Sequence, residues 1–122
     1  VKRRIVNIFQ PDVMYMGGLT KALKAAKIIE DGGFFCTPHT ANLSLVTICT
    51  MHFLKAINNA GPYLEFSIEG ADYYPWQQNL FLGDPFKISN GKVEIDDTPG
   101  WGVDINPEWL SKSEYKKSES EI

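Results

Sequence analysis

The chain has 122 residues, a formal net charge of −3 and 43% hydrophobic residues, values typical of one soluble domain and not of a disordered chain. Its 12 Lys and Arg residues are scattered without a basic, aromatic-lined stripe, so nucleic acid is not expected as a partner. No apolar run approaches the roughly 18 residues of a membrane helix, so no membrane partner is expected. Two cysteines, Cys36 and Cys49, are too few for a disulfide framework and favour free thiols in a cytoplasmic protein.

The first half of the chain predicts alternating strands and helices with short connections. The predicted elements are strands at 4–9, 34–37 and 63–66 and helices at 19–29 and 43–57. Gly17-Gly18 marks a tight turn before the first helix, and Gly32-Gly33 ends that helix because glycine accepts a left-handed C-cap. This β-α-β-α-β order predicts parallel strands joined by right-handed crossovers, buried on both faces under helices.

Apolar spacing also predicts which helical residues are buried. In the first helix these are Leu19, Ala22, Leu23, Ala26 and Ile29, opposite Lys21, Lys24 and Lys27. In the second they are Val46, Cys49, Phe53, Leu54 and Ile57.

The second half of the chain changes character. Residues 84–88 and 92–95 flank Ser89-Asn90-Gly91, a pattern that predicts a hairpin. The predicted division is a barrel portion at 1–70, a closing segment at 71–110, and a Lys/Glu/Ser-rich tail at 111–122 that is expected to be disordered. Three parallel strands leave both sheet edges open, and the chain enters its first strand directly from Val1. The expected partner is therefore an N-terminal part of the same protein.

Each predicted strand delivers one ionisable residue: Asp12, His39 and Glu65. The carboxyl ends of parallel strands converge on one rim, and an aspartate bonded to a histidine makes that histidine a competent general base. Structural alternatives stay open, since Asp12 could be a turn residue and His39 could bond loop backbone. Glu65 is harder to explain structurally, because an unpaired carboxylate in an apolar strand is costly. His52 is interpreted as a packed or surface side chain.

Several motifs in order resemble one known family over about residues 4–110. Near the strands they are Gln10-Pro11-Asp12-Val13, Gly17-Gly18-Leu19-Thr20, Pro38-His39-Thr40 and Tyr63-Leu64-Glu65-Phe66. In the closing segment they are Asp84-Pro85-Phe86, Gly91-Lys92-Val93 and Pro99-Gly100-Trp101-Gly102-Val103. Together they resemble the mandelate racemase/muconate lactonising branch of the enolase superfamily.

The resemblance implies an α/β fold, a modified TIM barrel of (β/α)7β form, with an α+β capping domain. This chain would supply the sixth to eighth barrel strands and the segment that returns to the capping domain. Asp12 and His39 match the Asp-His dyad at the ends of the sixth and seventh strands, and Glu65 matches the glutamate of the eighth. The dyad indicates the mandelate racemase subgroup, because other subgroups place a lysine on the sixth strand and none occurs near Asp12.

The chemistry that the resemblance implies is abstraction of the proton α to a carboxylate, with Mg²⁺ stabilising the enediolate. His39 would be the base, Asp12 would orient it, and Glu65 would hydrogen-bond a small carboxylic acid substrate. The metal ligands are expected upstream of Val1, so no metal ligand is assigned in this chain, which alone is expected to be inactive. By analogy the intact protein is expected to form a homo-oligomer.

Four functional interpretations remain at this point. Thr40 and Asn42, polar residues beside the dyad, are predicted to bind a hydroxylated substrate, and they favour an acid-sugar dehydratase. The alternative on the same scaffold is a racemase or epimerase of a 2-hydroxy acid. Another class is a non-catalytic fragment that only assembles with its N-terminal part, and a further one is a flavodoxin-like binding module.

Overall fold

The structure, a computed structural model, describes residues 1–119. Its helices are α1 (Leu19–Asp31), α2 (Leu45–Ala56) and α3 (Pro107–Lys112), and its strands are β1 (Ile8–Phe9), β2 (Phe35–Cys36), β3 (Phe81–Leu82) and β4 (Asp104–Ile105). A single 3-10 turn at Gln77–Asn79 precedes β3. Among these described elements, no helix combines the length and apolar character that crossing a membrane requires.

The first two strands form the parallel pair that the sequence predicts, with Ile8 opposite Phe35 and Phe9 opposite Cys36. Phe9 and Cys36 face α1 and pack in one hydrophobic cluster. Ile8 and Phe35 point to the other face and are 52% and 57% exposed. The expectation that both faces are buried is therefore wrong for residues 1–119, because α1 covers only one of them.

The predicted third strand at 63–66 is wrong, because pairing ends before it begins. The Cys36 N–H donates to Asn59 O at 2.9 Å, and the Gly61 N–H donates to Cys36 O at 2.8 Å. The next parallel bond would need an N–H from Pro38, and proline has none. The pairing is thus reduced to one bridge between Cys36 and Ala60. The first strand is likewise shorter than predicted, and Arg4 adopts a positive φ of 48°.

The ends of α1 are set by glycines. Gly18 precedes the helix with φ 95° and ψ 176°, a conformation essentially restricted to glycine. At the other end Gly33, with φ 76°, takes the left-handed position that the Gly32-Gly33 prediction requires, while Gly32 stays right-handed at φ −81°. The Phe34 N–H donates to Ile29 O and the Gly33 N–H to Glu30 O, the pair of bonds of a Schellman motif.

Burial on α1 matches the prediction in part. Ala22, Ala26 and Ile29 are buried. Leu19 and Leu23 are 47% and 38% exposed, which corrects their predicted place in the core.

Helix α2 lies between the two halves of the chain. Ser44 caps it by accepting a hydrogen bond from the Val46 N–H. Its buried residues are Thr47, Ile48, Thr50, Met51 and Phe53, whereas Val46, Cys49, Leu54 and Ile57 are only half-buried. Phe53 joins the cluster under β1 and β2, and Ile48 and Met51 join a second cluster with Phe81. Because both sides of the helix are covered, its apolar spacing does not define a single buried face.

The closing segment is held by the antiparallel pair β3–β4 and by a tight turn. Asn90 and Gly91 adopt φ of 51° and 72°, and Ser89 and Lys92 exchange backbone hydrogen bonds, as the hairpin prediction requires. The flanks of that turn form no strands. Helix α3, capped by the Asn106 side chain, extends into the tail predicted to be disordered, while 120–122 lie outside the described residues.

Candidate active site

Asp12 is a buried carboxylate whose two oxygens both have partners. Its Oδ1 accepts the N–H groups of Met14 and Tyr15, each at 2.7 Å, and its Oδ2 lies 2.6 Å from His39 Nδ1. Burial alone would raise the pKa of Asp12, but the hydrogen bonds from Tyr15, His39 and Met14 outweigh it and lower the pKa below 3.8. Asp12 is therefore a fixed, ionised acceptor.

Backbone pairing beyond the short strands positions His39 against Asp12. The Thr37 N–H donates to Phe9 O at 2.8 Å, and the His39 N–H donates to Pro11 O at 3.2 Å. The parallel register thus continues past β1 and β2, and it places the two side chains at the same rim.

The hydrogen bond to Asp12 fixes the tautomer of His39. An ionised carboxylate only accepts, so Nδ1 carries the proton and the neutral ring keeps its lone pair on Nε2. Nε2 lies 3.9 Å from Glu65 Oε2, and the ring is 39% exposed. The hydrogen bond that Nδ1 donates to Asp12 raises the pKa of His39 above 6.5, burial opposes the rise, and the Glu65 charge adds to it. The Nε2 lone pair of His39 therefore belongs to a ring that is accessible to solvent.

Glu65 reaches this rim although it lies outside any strand. The backbone N–H of Thr40 donates to Glu65 Oε2 at 2.9 Å. Its side chain is 45% exposed, so the carboxylate faces the same open space as His39 Nε2. The structure thus brings together Asp12, His39 and Glu65, and their catalytic roles stay predictions.

Thr40 and Asn42, predicted to contact substrate, both have partners inside the protein. The Thr40 side chain is buried, and its hydroxyl lies 2.6 Å from that of Thr47. Asn42 accepts a hydrogen bond from Ser44 Oγ at 2.5 Å through Oδ1, and its carbonyl accepts from the Thr47 hydroxyl. This geometry favours a scaffolding role, and their contact with substrate stays a prediction.

Sequence reasoning missed two residues next to the site. The exposed ring of Tyr15 is stacked on His39 with centroids 6.3 Å apart and planes 24° apart. Thr47 lies behind Thr40 and is 1% exposed. The available signal for Thr47 was a threonine in an apolar helix, because a buried hydroxyl needs a partner. Nothing local in the sequence indicates the Tyr15 stack.

Other polar groups lie apart from the dyad. His52 Nε2 is 3.1 Å from Trp101 O, and its ring meets the Trp101 ring edge-on. Two cavities in the described part of the chain, about 640 and 410 Å³, are lined mainly by closing-segment residues and not by the dyad. Within residues 1–119, no group of three or more His, Cys, Asp or Glu side chains could hold a metal ion.

Comparison of the sequence with known proteins identifies one family. The sequence pattern of the family described as enolase C-terminal domain-like matches residues 1–109. The chain is 34% identical over 119 residues to the D-gluconate dehydratase of Thermoproteus tenax, covering 97% of this chain and 22% of that protein. It is 30% identical over 105 residues to the L-rhamnonate dehydratase of Saccharopolyspora erythraea, covering 84% of this chain and 25% of that protein.

A solved structure supports the same assignment. A candidate racemase from Roseobacter denitrificans superposes with a TM-score of 0.88 at 53% identity, covering 98% of this chain and 32% of that one. The chain belongs to the enolase superfamily, and its fold is the C-terminal part of that family's α/β barrel. It spans about a quarter of the length of the curated relatives that it matches.

Proposed function

We propose that the whole protein carrying this chain is an acid-sugar dehydratase that removes the proton α to a carboxylate. The single observation behind this proposal is the 2.6 Å contact between Asp12 Oδ2 and His39 Nδ1, which leaves Nε2 as a free base. The names of the two curated relatives, both sugar-acid dehydratases, support the substrate class.

The proposed reaction begins at His39. Its Nε2 takes the α-proton as the C–H bond breaks, and the electron pair moves toward the substrate carboxylate to form an enediolate. Asp12 stabilises the imidazolium that results. Glu65, at 3.9 Å from Nε2, lies where it can hydrogen-bond the substrate and compensate the positive ring.

The second step is loss of the β-hydroxyl. His39 now carries the proton, and it returns this proton to the departing oxygen as the C–O bond breaks. Water leaves, and the enol product tautomerises to a 2-keto-3-deoxy acid. One residue thus acts first as base and then as acid, which requires a pKa near the working pH.

Magnesium is part of the proposal only for the whole protein. Members of the superfamily generally use Mg²⁺. The residues that the structure describes form no cluster that fits the ion, and both oxygens of Asp12 are already engaged. We propose that an N-terminal part of the same protein supplies the metal ligands.

The test is a screen of acid sugars with the whole protein and Mg²⁺, using mass spectrometry to detect the 2-keto-3-deoxy product. We expect product from at least one aldonate or aldarate, and none with His39→Asn. Failure of the wild-type protein to dehydrate any acid sugar would contradict the proposal.

Racemisation or epimerisation is the second candidate, and the similarity at 53% identity to a candidate racemase favours it. It uses the same first step but returns the proton to carbon from a second base. Loss of α-deuterium from a 2-hydroxy acid without formation of a keto product identifies this reaction.

A further inference from the structure

A chain of three hydrogen-bonding groups runs behind the candidate site. The Thr47 hydroxyl donates to the carbonyl of Asn42, because a carbonyl can only accept. A hydroxyl has one hydrogen, so Thr47 must accept in its 2.6 Å bond with Thr40 Oγ1. The Thr40 hydroxyl is therefore the donor, and the direction of the whole chain is fixed.

This chain anchors a buried residue that lies outside the helices and strands. Residues 38–41 belong to no helix or strand. The side chain of Thr40 is tied to α2 through Thr47, while its backbone N–H points to Glu65 Oε2 at 2.9 Å. Thr40 thus links the buried helix on one side to the exposed carboxylate on the other.

We propose that Thr47 is a positioning residue that holds Glu65 in place through Thr40. The proposal rests on the function proposed for Glu65 and His39. Losing the Thr47 hydroxyl leaves a buried donor on Thr40 without its acceptor, so the backbone at residue 40 shifts to bring the hydroxyl to another partner. Its N–H then leaves Glu65, and the carboxylate moves away from His39 Nε2.

The same helix supplies a matched control. Thr50 is 0% exposed, and its hydroxyl donates to Val46 O at 2.9 Å within α2. Replacing Thr50 by valine removes a buried threonine hydroxyl with no link to Thr40. Any effect common to both positions therefore comes from the helix and not from Glu65.

The experiment compares Thr47→Val, Thr47→Ser and Thr50→Val in the whole protein that carries this chain, with and without Glu65→Gln. For Thr47→Val we expect kcat to fall about tenfold, the loss for one hydrogen bond of ordinary strength, while KM changes little. Thr47→Ser keeps the hydroxyl and should therefore retain most of the wild-type kcat. Thr50→Val should have the same kcat as the wild type. On the Glu65→Gln background, Thr47→Val should have no further effect.

A second readout does not depend on catalysis. Hydrogen exchange resolved at the Thr40 amide should accelerate about tenfold in Thr47→Val and stay unchanged in Thr50→Val. If the protein dehydrates no acid sugar but the Thr40 amide responds in this way, the proposed function fails and the positioning role stands. Thr40→Val breaks the same bond from its other end, so it serves as the test variant if Thr47→Val does not fold.

Equal losses of kcat in Thr47→Val and Thr50→Val would overturn the proposal, because they would indicate an effect of helix packing alone. The proposal would also be overturned if Thr47→Val and Glu65→Gln lowered kcat independently, so that their effects multiplied in the double variant. So would a Thr40 amide that exchanges at the wild-type rate in the folded Thr47→Val or Thr40→Val variant.

Discussion

The barrel portion (residues 1–70) and the closing segment (residues 71–110) are organised in different ways. The barrel portion has a fully buried cluster under a parallel strand pair, and it includes Ala22, Cys36 and Phe53. The closing segment contributes one buried side chain, Phe81, and otherwise packs half-buried residues against α2. All three candidate catalytic residues lie in the first region. The more deeply buried cluster therefore lies in the region that holds the site, and the closing segment mainly covers the other side of α2.

The largest difference between the two regions is expected when a large side chain is removed from each cluster. Phe53 is 0% exposed and Phe81 is 8% exposed. Phe53→Ala should lower the free energy of unfolding by about 3–5 kcal/mol, because its tightly packed cluster collapses poorly around the cavity. Phe81→Ala should cost about 2 kcal/mol, because its half-buried neighbours can move in. Urea unfolding of both variants measures the difference, and equal losses would contradict the two-region account.

The next prediction concerns the ring nitrogens of His39. Asp12→Asn keeps an acceptor for the backbone N–H groups but offers an amide donor to Nδ1, so the proton should move to Nε2. The pKa of His39 should fall, because the hydrogen bond that raises it is lost. The chain has two histidines, so ¹⁵N shifts across a pH titration assign both, with His52 as the internal control. A His39 pKa that stays in place would contradict the dyad.

The dyad also gives the fold a defined pH dependence. Because the pKa of Asp12 is lowered from 3.8, its stabilisation is present above that pH and is lost as pH falls through the folded value. Because the pKa of His39 is raised from 6.5, its stabilisation is complete below that pH and is lost as pH rises through the folded value. The dyad should therefore stabilise the wild-type fold most between pH 3.8 and 6.5, and stability curves of Asp12→Asn should lack this maximum.

Glycines give a smaller, matched comparison between the two regions. Gly18 in the barrel portion has φ 95° and ψ 176°, whereas Gly91 in the closing segment has φ 72° and follows Asn90 in a tight turn. A Cβ at either position meets nothing within 4 Å, so only backbone strain matters. Gly18→Asn should lower the free energy of unfolding by about 1–3 kcal/mol, because asparagine does not tolerate the backbone conformation at Gly18. Gly91→Asn should lower it by less, because asparagine tolerates the left-handed region. Thermal unfolding measures both, and the reverse order would contradict this assignment.

The smallest effect is expected at an exposed link between the regions. Lys55 Nζ lies 2.5 Å from Asp97 Oδ1, with side chains 47% and 94% exposed. Lys55→Met should lower the free energy of unfolding by less than about 1 kcal/mol, since exposed ion pairs contribute little. A larger loss in chemical denaturation would mean that the closing segment depends on this contact more than on its packing.

Sequence reasoning succeeded where the signal is local or topological. The Gly17-Gly18 turn, the extents of both long helices and the convergence of Asp12 and His39 follow from glycine chemistry, periodicity and parallel strand order. Glu65 reaches the same rim without the strand that was predicted to carry it. It failed where pairing is non-local. Pro38 ends the ladder before residues 63–66, and the two-residue pair β3–β4 joins positions far apart in the chain.

Other misses came from tertiary burial and from an overlooked cap. Helix α2 is covered on both sides, so its threonines are buried. Most of the residues that apolar spacing predicted to be buried are only half-buried. Asn106-Pro107-Glu108 has the composition of a helix start, and that signal for α3 was present in the sequence. The hydroxyl chain through Thr47 could not be predicted, because it depends on how α2 lies against residues 38–42.

Removal of an α-proton by His39 is tested most directly by the release of α-deuterium from a labelled acid sugar by the whole protein. We predict deuterium release by the wild-type protein and by the control His52→Asn, and at least about 100-fold slower release by His39→Asn. A His39→Asn variant that releases deuterium at the wild-type rate would contradict the account.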